Sequence, residues 1–249
     1  MTALLEARGL GVRFGGVQAL TDVDLTVDEG ALVGLIGPNG AGKTTLIDAL
    51  TGLVPAGGRV TFAGRQIGGL PAHRRARAGL GRTWQSLELF GDLTVTENLQ
   101  VAADRQGPWG MLHDLLRPRR TAPAPGVAEA LALLELGDLA GRMPDELTQG
   151  QRKLVGVARA LAARPRLVCL DEPAAGLDTD ESAALGRHLR RVVDAGTSML
   201  LVDHDMGLVF SICDLVYVLE FGRVITAGAP ADVRADRAVI AAYLGGDGA

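Results

Sequence analysis

A glycine-rich stretch with one lysine and two threonines, residues 37–45 (GPNGAGKTT), has the residue types and spacing of a phosphate-binding loop. Its glycines let backbone N–H groups point into one concavity, and a following helix N-terminus adds partial positive charge. Lys43 would place a compact charge on the β- and γ-phosphates of a nucleotide, and Thr44 would offer its hydroxyl to Mg²⁺. The residues predicted to bind nucleotide here are Gly37, Asn39, Gly40, Ala41, Gly42, Lys43, Thr44 and Thr45.

The alternative for this stretch is a glycine-rich turn between a strand and a helix that holds no ligand. Such a turn needs neither the lysine nor the threonine. Of the 25 Lys and Arg residues, only Lys43 and Lys153 are lysines. A rare residue at the position that the motif requires favours the phosphate-binding interpretation.

An acidic pair ends a second apolar stretch, LVCLDEP at residues 167–173. Asp171 could hold the shell of a Mg²⁺ ion, and Glu172 could accept a proton from an attacking water. Taken alone, a helix cap or a solvated turn explains such a pair equally well. A phosphate-binding loop in the same chain favours the catalytic interpretation.

His204 ends a third apolar stretch, SMLLVDH. A lone histidine is more often packed or solvated than catalytic. Open α/β sheets, however, bind ligands at the carboxyl ends of their strands. Because Gly37, Asp171 and His204 are all predicted to lie at such ends, we expect one site that includes all three.

The rest of the chain supplies the elements that must position these residues. Apolar runs alternate with helical patterns, which predicts an α/β fold with a mostly parallel sheet. The first thirty residues alternate in polarity and predict an antiparallel β-subdomain. Residues 87–148 look helical and predict an inserted subdomain within one domain that spans residues 1–249.

The composition of the chain disfavours nucleic-acid-binding proteins and proteins that span the membrane. The chain has 249 residues, of which 47% are hydrophobic, and a net charge of −4, which argues against nucleic acid as a partner. No apolar run is long enough to span a membrane alone. Cys169 and Cys213 have no metal-binding spacing and are predicted to be reduced, buried thiols. Five basic residues within residues 72–82 predict a solvated face, with a membrane- or phosphate-facing patch as the alternative.

The stretch DELTQGQRKL, residues 145–154, begins like an ordinary helix. Thr148 and Gln151 have the spacing of a capping box, in which the two side chains satisfy N–H groups of the first helical turn. Capping does not explain Gly150, since glycine destabilises a helix by roughly 1 kcal/mol relative to alanine. A backbone that must touch a phosphate does explain it. We expect Lys153 to be a solvated surface residue.

The chain resembles ATP-binding cassette (ABC) ATPases across nearly its whole length. The resemblance rests on five features that follow one another in order: the phosphate-binding loop, LTQGQ, LVCLDEP, AGLD and a histidine at the next strand end. The resemblance implies a P-loop NTPase core that binds ATP and Mg²⁺. LTQGQ resembles that family's LSGGQ signature, with Gln149 in place of the first glycine, which affects how closely the loop packs on phosphate. In that family two chains enclose two ATP molecules head to tail, which implies that Thr148, Gly150 and Gln151 contact the ATP of a second ABC ATPase chain, either a copy or a paralogue.

Three further roles are implied by the same resemblance. Phe14 matches the aromatic residue that stacks on adenine, and Gln85 matches the loop glutamine that reaches Mg²⁺ and the attacking water. Asp178 matches the loop that couples the two sites across the dimer. Singly, a buried strand phenylalanine and a solvated glutamine would be the ordinary interpretations.

Finer similarity indicates a subgroup. The stretches RFGGVQAL, RTWQSLELF, DEPAAGLD, DHDM and VIAAYLGG are together similar to the ATPase subunits of branched-chain amino acid importers. This implies a cytoplasmic protein bound peripherally to the membrane through separate permease subunits, with a substrate-binding protein as an indirect partner. Import of urea or short amides and lipopolysaccharide-type export are the transport alternatives. A soluble ABC ATPase and a non-catalytic nucleotide sensor are alternatives from other classes.

Overall fold

The computed structural model describes residues 2–83, 89–103 and 124–244. The chain divides into two compact units. One contains Met1–Gln85 together with Arg166–Ala249, and the other contains Ser86–Pro165. The bounds 87–148 predicted for the helical insertion remain a prediction.

An antiparallel sheet opens the first unit, with the strand order β2-β1-β4-β5. Its strands are β1 (Ala3–Phe14), β2 (Val17–Asp28), β4 (Gly57–Phe62) and β5 (Arg65–Gln66). Strands β1 and β2 form a hairpin in which Phe14 lies opposite Val17. Alternate residues of both strands are buried, which is the pattern of a sheet with one solvated face. The predicted antiparallel β-subdomain is therefore confirmed.

A six-stranded sheet forms the centre of this unit, with the strand order β10-β9-β3-β8-β7-β6. Its strands are β3 (Leu32–Ile36), β6 (Leu80–Arg82), β7 (Leu167–Asp171), β8 (Ser198–Val202), β9 (Leu215–Glu220) and β10 (Arg223–Gly228). All of these pairs are parallel except β9 with β10, which is antiparallel. Every residue of β3, β7 and β8 is buried, which explains their continuous apolar sequences. The parallel pairing places the carboxyl ends of β3, β8 and β7 side by side.

Within the described residues, six helices accompany the sheets of the first unit. They are α1 (Lys43–Thr51), α2 (Ala72–Arg77), α6 (Thr179–Asp194), α7 (Met206–Ile212), α8 (Pro230–Ala235) and α9 (Arg237–Leu244). Helix α1 contributes Leu46, Ile47 and Leu50 to a core that also contains residues of both sheets. This packing fixes the helix that follows the glycine-rich loop. Cys169 and Cys213 are buried free thiols, as predicted.

The second unit is helical where the structure describes it. It contains α3 (Val95–Ala103), α4 (Pro125–Leu133), two short 3₁₀ helices (Gly137–Leu139 and Pro144–Glu146) and α5 (Gln149–Ala162). Asn98 on α3 is fully buried, and its amide nitrogen donates to the carbonyls of Phe90, Leu93 and Thr94. This side chain holds the turn that leads into α3.

Lys153 is buried, so the prediction of a solvated side chain is wrong. It lies on α5 four residues before Val157 and eight before Leu161, which are also buried. Residues four apart share one face of a helix, so the lysine belongs to the packed face. Its long apolar stem makes such a position tolerable.

Arg75 in the basic run within residues 72–82 is buried, and only 9% of the side-chain surface of Arg82 is exposed, so the prediction of a solvated face is wrong for these two residues. The guanidinium of Arg75 donates to four backbone carbonyls at 2.6–2.9 Å, those of Ala49, Leu50, Gly68 and Leu70. Two of these carbonyls belong to the last turn of α1, whose end would otherwise lack partners. Arg75 therefore fastens the end of this helix to the following loop.

We expect the Arg75→Met variant to lower the free energy of unfolding by about 3 kcal/mol, because several buried carbonyls lose a charged donor while the apolar stem is kept. Urea denaturation measures this quantity. Arg77→Met, at an exposed position of the same helix, should change it by no more than about 0.5 kcal/mol. Equal effects of the two substitutions would contradict the role given to Arg75.

Candidate functional site

The glycine-rich loop connects β3 to α1 and has a backbone that side chains would obstruct. Gly37 has φ of 155°, and a Cβ atom there would lie 2.0 Å from the carbonyl oxygen of Leu219. Gly42, which precedes α1, has φ of 105°, in the left-handed region that favours glycine. The loop geometry therefore requires glycine at the positions where the sequence has it.

Lys43 is the first residue of α1, and its side chain reaches back into this loop. Its ammonium group donates to the carbonyl oxygens of Gly37 at 2.7 Å and of Pro38 at 3.1 Å. Burial lowers the pKa of Lys43, and the negative charges of Glu172, Asp171 and Asp203 oppose that shift. The loop thus holds a cation at its centre, close to the acids that end two neighbouring strands.

A cavity of about 300 Å³ opens over the loop. Glu172 contributes to its wall, and the other lining residues are Asn39, Gly40, Ala41, Gly42, Lys43, Thr44 and Thr45. The side chain of Thr44 is exposed at the first turn of α1. Backbone N–H groups, an ammonium group and a helix N-terminus around one cavity are suited to an anion such as a phosphate chain.

Asp171 ends β7 with a fully buried side chain. Its Oδ2 atom lies 3.3 Å from Nη2 of Arg82, whereas its Oδ1 atom is buried with no hydrogen-bond partner among the described residues. Burial raises the pKa of this carboxyl, and the positive charge of Arg82 opposes the rise. A buried carboxylate oxygen that has no hydrogen-bond partner is expected where the carboxylate faces a cation or the water shell of a cation.

Glu172 follows directly and has φ of 50°, a left-handed conformation that is uncommon for residues other than glycine. Its N–H donates to the carbonyl of Val202 at 2.7 Å, which holds the turn against the neighbouring strand β8. Backbone strain of this kind concentrates at functional sites. The turn places Glu172 in the wall of the cavity over the glycine-rich loop.

His204 follows β8, and 60% of its side-chain surface is exposed. Its Nδ1 atom lies 3.7 Å from Oδ1 of Asp203. Asp203 is fully buried and accepts hydrogen bonds from the N–H groups of Ala174 and Asp205, both at 3.0 Å. This carboxylate ties the loop after β7 to the loop after β8 and holds the backbone on both sides of His204.

Arg82 and Asp203 are two site residues that sequence reasoning missed. Arg82 belongs to a run of five basic residues, and nothing in the local pattern separates it from its exposed neighbours. Asp203 could have been noticed as an acid beside a histidine at a strand end. Both lie in stretches used for the family resemblance, RTWQSLELF and DHDM, but no role was assigned to either residue from them.

The remaining predicted residues lie on other elements. Phe14 is at the β1–β2 hairpin with 49% of its surface exposed, so its ring is available for stacking. Asp178 is the N-cap of α6 and accepts a hydrogen bond from the N–H of Glu181 at 2.8 Å. Gln85 lies outside the described residues.

The predicted capping box at the start of α5 is present. The N–H of Thr148 donates to the side chain of Gln151 at 2.9 Å, and the N–H of Gln151 donates to the hydroxyl of Thr148 at 3.3 Å. Gly150 lies in the first turn, and both Thr148 and Gln149 are exposed. Gly150 therefore adds no side chain to the first turn of this 14-residue helix.

Comparison with known proteins agrees with this geometry. Residues 20–175 match the family model described as ABC transporter, which covers more than half of the chain. The chain belongs to the ABC transporter family of ATPases. It is thus a nucleotide-binding, ATP-hydrolysing transporter subunit, as the sequence predicts.

Individual relatives of this ABC ATPase cover nearly its whole length. It is 41% identical to the high-affinity branched-chain amino acid transport ATP-binding protein BraF of Pseudomonas aeruginosa, over 97% of this chain and 98% of the relative. It is 35% identical to the lipopolysaccharide export system ATP-binding protein LptB of Escherichia coli K12, over 98% of both chains. Residues 223–249 also match a model described as branched-chain amino acid ATP-binding cassette transporter.

Solved structures confirm the ABC nucleotide-binding fold. An ATP-binding cassette of an ABC transporter, solved in its ADP conformation, superposes with a TM-score of 0.86 at 29% identity, over 98% of this chain and 100% of that one. Within the part of this ABC ATPase that the structure describes, no helix is both long enough and apolar enough to cross a membrane.

Proposed function

We propose that this ABC ATPase drives an importer of branched-chain or other hydrophobic amino acids. The observation that supports this cargo is the match of residues 223–249 to the branched-chain model, together with greater identity to the amino acid transport relative than to the lipopolysaccharide export relative. The C-terminal segment carries the distinction, because the glycine-rich core is common to many cargoes.

Each site residue has a separate role in ATP hydrolysis. Backbone N–H groups of the loop and the ammonium group of Lys43 bind the β- and γ-phosphates, and Phe14 stacks on the base. Glu172 accepts a proton from the attacking water, and we assign His204 and Gln85 as the other two catalytic residues. Groups that the fold already holds in place stabilise developing charge without reorganising during the reaction.

Mg²⁺ would be held by the hydroxyl of Thr44, by Asp171 and by Gln85, and when bound it neutralises charge on the phosphates. The orphaned Oδ1 atom of Asp171 supports this assignment, since a buried carboxylate oxygen with no donor is costly unless a cation shell reaches it. Arg82 occupies the other oxygen, so the carboxylate has one oxygen available.

We infer that two ATPase chains act together, with Thr148, Gly150 and Gln151 of one chain on the γ-phosphate of the other. The capped start of α5 supports this, because a helix N-terminus with a glycine in its first turn accepts a phosphate closely. Asp178 would connect the two sites. The second chain is a copy or a paralogue, and the pair would bind separate permease subunits at the cytoplasmic face of the membrane.

The Gly150→Asp variant tests the shared site. A carboxylate there suits the N-terminus of α5 but repels a partner's phosphate, so we expect hydrolysis to fall about 100-fold while each monomer still binds ATP. Steady-state phosphate release and ATP binding by the monomer measure the two effects. Gly141→Asp, in the same unit and in open space, is the matched control. Normal cooperative hydrolysis by the Gly150 variant would count against a shared site.

The cargo is tested by purifying the tagged chain from native membranes and identifying what comes with it. Two polytopic permeases and a binding protein that retains leucine, isoleucine or valine would support the proposal. Reconstitution into vesicles should then give ATP-dependent uptake of these amino acids and not of urea. Recovery of lipid-export components instead would overturn import and favour the second candidate, export of the lipopolysaccharide type.

A further inference from the structure

Arg82 bridges two carboxylates beneath the nucleotide site. Only 9% of its side-chain surface is exposed. One terminal nitrogen, Nη1, pairs with Asp48, and the other, Nη2, lies 3.3 Å from Oδ2 of Asp171. The Nε atom donates to the backbone carbonyl of Thr83 at 3.3 Å. A planar guanidinium with donors in a fixed fork can hold both carboxylates at once, which a single ammonium group cannot do.

The bridge joins two elements, α1 and β7, whose position relative to each other matters for the site. Asp48 lies on α1, the helix that begins with Lys43, and Asp171 ends β7. The N–H of Asp171 also donates to the hydroxyl of Thr83, at 3.3 Å, so backbone and side chain of this acid both depend on the end of β6. The position of the Asp171 carboxylate relative to the phosphate-binding loop is therefore set through Arg82.

Arg82 contacts only one oxygen of this carboxylate. Oδ2 faces the guanidinium, and Oδ1 has no hydrogen-bond partner among the described residues. Carboxylates in metal sites are commonly oriented by a hydrogen bond on one oxygen while the other faces the ion, and loss of such a partner typically costs about 10–100-fold in metal affinity.

We propose that Arg82 is a positioning residue for the divalent cation: it fixes Asp171 through Oδ2 and to α1 through Asp48, and so presents Oδ1 to the Mg²⁺ shell. This rests on the role proposed above for Asp171. In this proposal Arg82 acts on the cation through the carboxylate of Asp171.

The experiment measures how Mg²⁺ strengthens binding of the non-hydrolysable analogue AMP-PNP, by calorimetric titration at graded Mg²⁺ concentrations and in EDTA. We expect Arg82→Met to raise the Mg²⁺ concentration at the midpoint about 10-fold, with affinity in EDTA changed less than about twofold. Arg82→Lys, which keeps the charge but not the fork, should give an intermediate shift. The control is Arg166→Met, which removes an exposed ion pair with Glu29 in the same unit.

A cycle with Asp171→Asn separates failure of this inference from failure of the proposed metal site. If Arg82 acts through Asp171, the double variant shifts the midpoint no further than Asp171→Asn alone. Additive shifts, or an unchanged midpoint in Arg82→Met beside a shifted one in Asp171→Asn, would overturn the role of Arg82 only. An unchanged midpoint in Asp171→Asn would overturn the metal role of Asp171, and Arg82's role with it.

Removing a buried cation can prevent folding, so a milder variant completes the test. Asp48→Asn weakens the ion pair between Arg82 and residue 48 and leaves both Arg82 and Asp171 in place. The side chain of Asp48 is 26% exposed, so this substitution is milder. We expect a shift of the Mg²⁺ midpoint in the same direction, of about threefold. No shift in a folded Asp48 variant, or a shift toward lower Mg²⁺, would contradict the bridge.

Discussion

The Glu172→Gln variant is expected to bind ATP with normal affinity and to hydrolyse it at least about 100-fold more slowly. Glutamine keeps the length and shape of glutamate, so it can adopt the same left-handed turn after β7 and the same hydrogen bond to Val202. It cannot accept a proton from water. The loss therefore falls on kcat, whereas the phosphate contacts of Lys43 and the loop remain.

The same variant should accumulate as an ATP-bound dimer, because the step that reopens the dimer is blocked. Size-exclusion chromatography with ATP and Mg²⁺, beside steady-state phosphate release, measures both consequences. Glu29→Gln removes an exposed carboxylate of the same unit and should behave as the unmodified chain does. Hydrolysis by Glu172→Gln at the unmodified rate would exclude Glu172 as the base.

The second large effect is expected from Lys43→Ala, which should weaken ATP binding about 100-fold. Charge-assisted hydrogen bonds contribute about 1.5–3 kcal/mol each, and about 1.4 kcal/mol corresponds to a tenfold change in affinity. The loop geometry should survive, since it depends on glycines such as Gly37 and Gly42. Burial lowers the pKa of Lys43, against the opposing charges of Glu172, Asp171 and Asp203, and a phosphate beside the ammonium group would stabilise its charged form.

Equilibrium binding of ATP measures the loss, and thermal unfolding without nucleotide checks that the variant is folded. Arg59→Ala removes an exposed cation from the same unit and should leave ATP affinity unchanged. If Lys43→Ala binds ATP normally, the assignment of residues 37–45 as the phosphate-binding loop is wrong.

Much of this arrangement could be predicted because its information is local. The residues from Gly37 to Thr45 are consecutive, and each requirement of the loop appears as a residue type at a fixed offset. Continuous apolar runs identified β3, β7 and β8, and parallel pairing then placed their carboxyl ends together. The capping box of Thr148 and Gln151 was likewise visible, since it depends on a spacing of three residues.

The sequence by itself determined the α/β class, and it predicted the phosphate-binding loop and the acids that accompany it. Only the tertiary structure decided which charged residues are buried. Arg75, Arg82 and Lys153 resemble solvated residues in the chain, yet their stems are covered, and the partners of both arginines lie up to 89 residues away. A long polar side chain can be buried only where the fold brings carbonyls or carboxylates within its reach. These partners lie far away in the sequence, so no local pattern predicts which side chains will be buried.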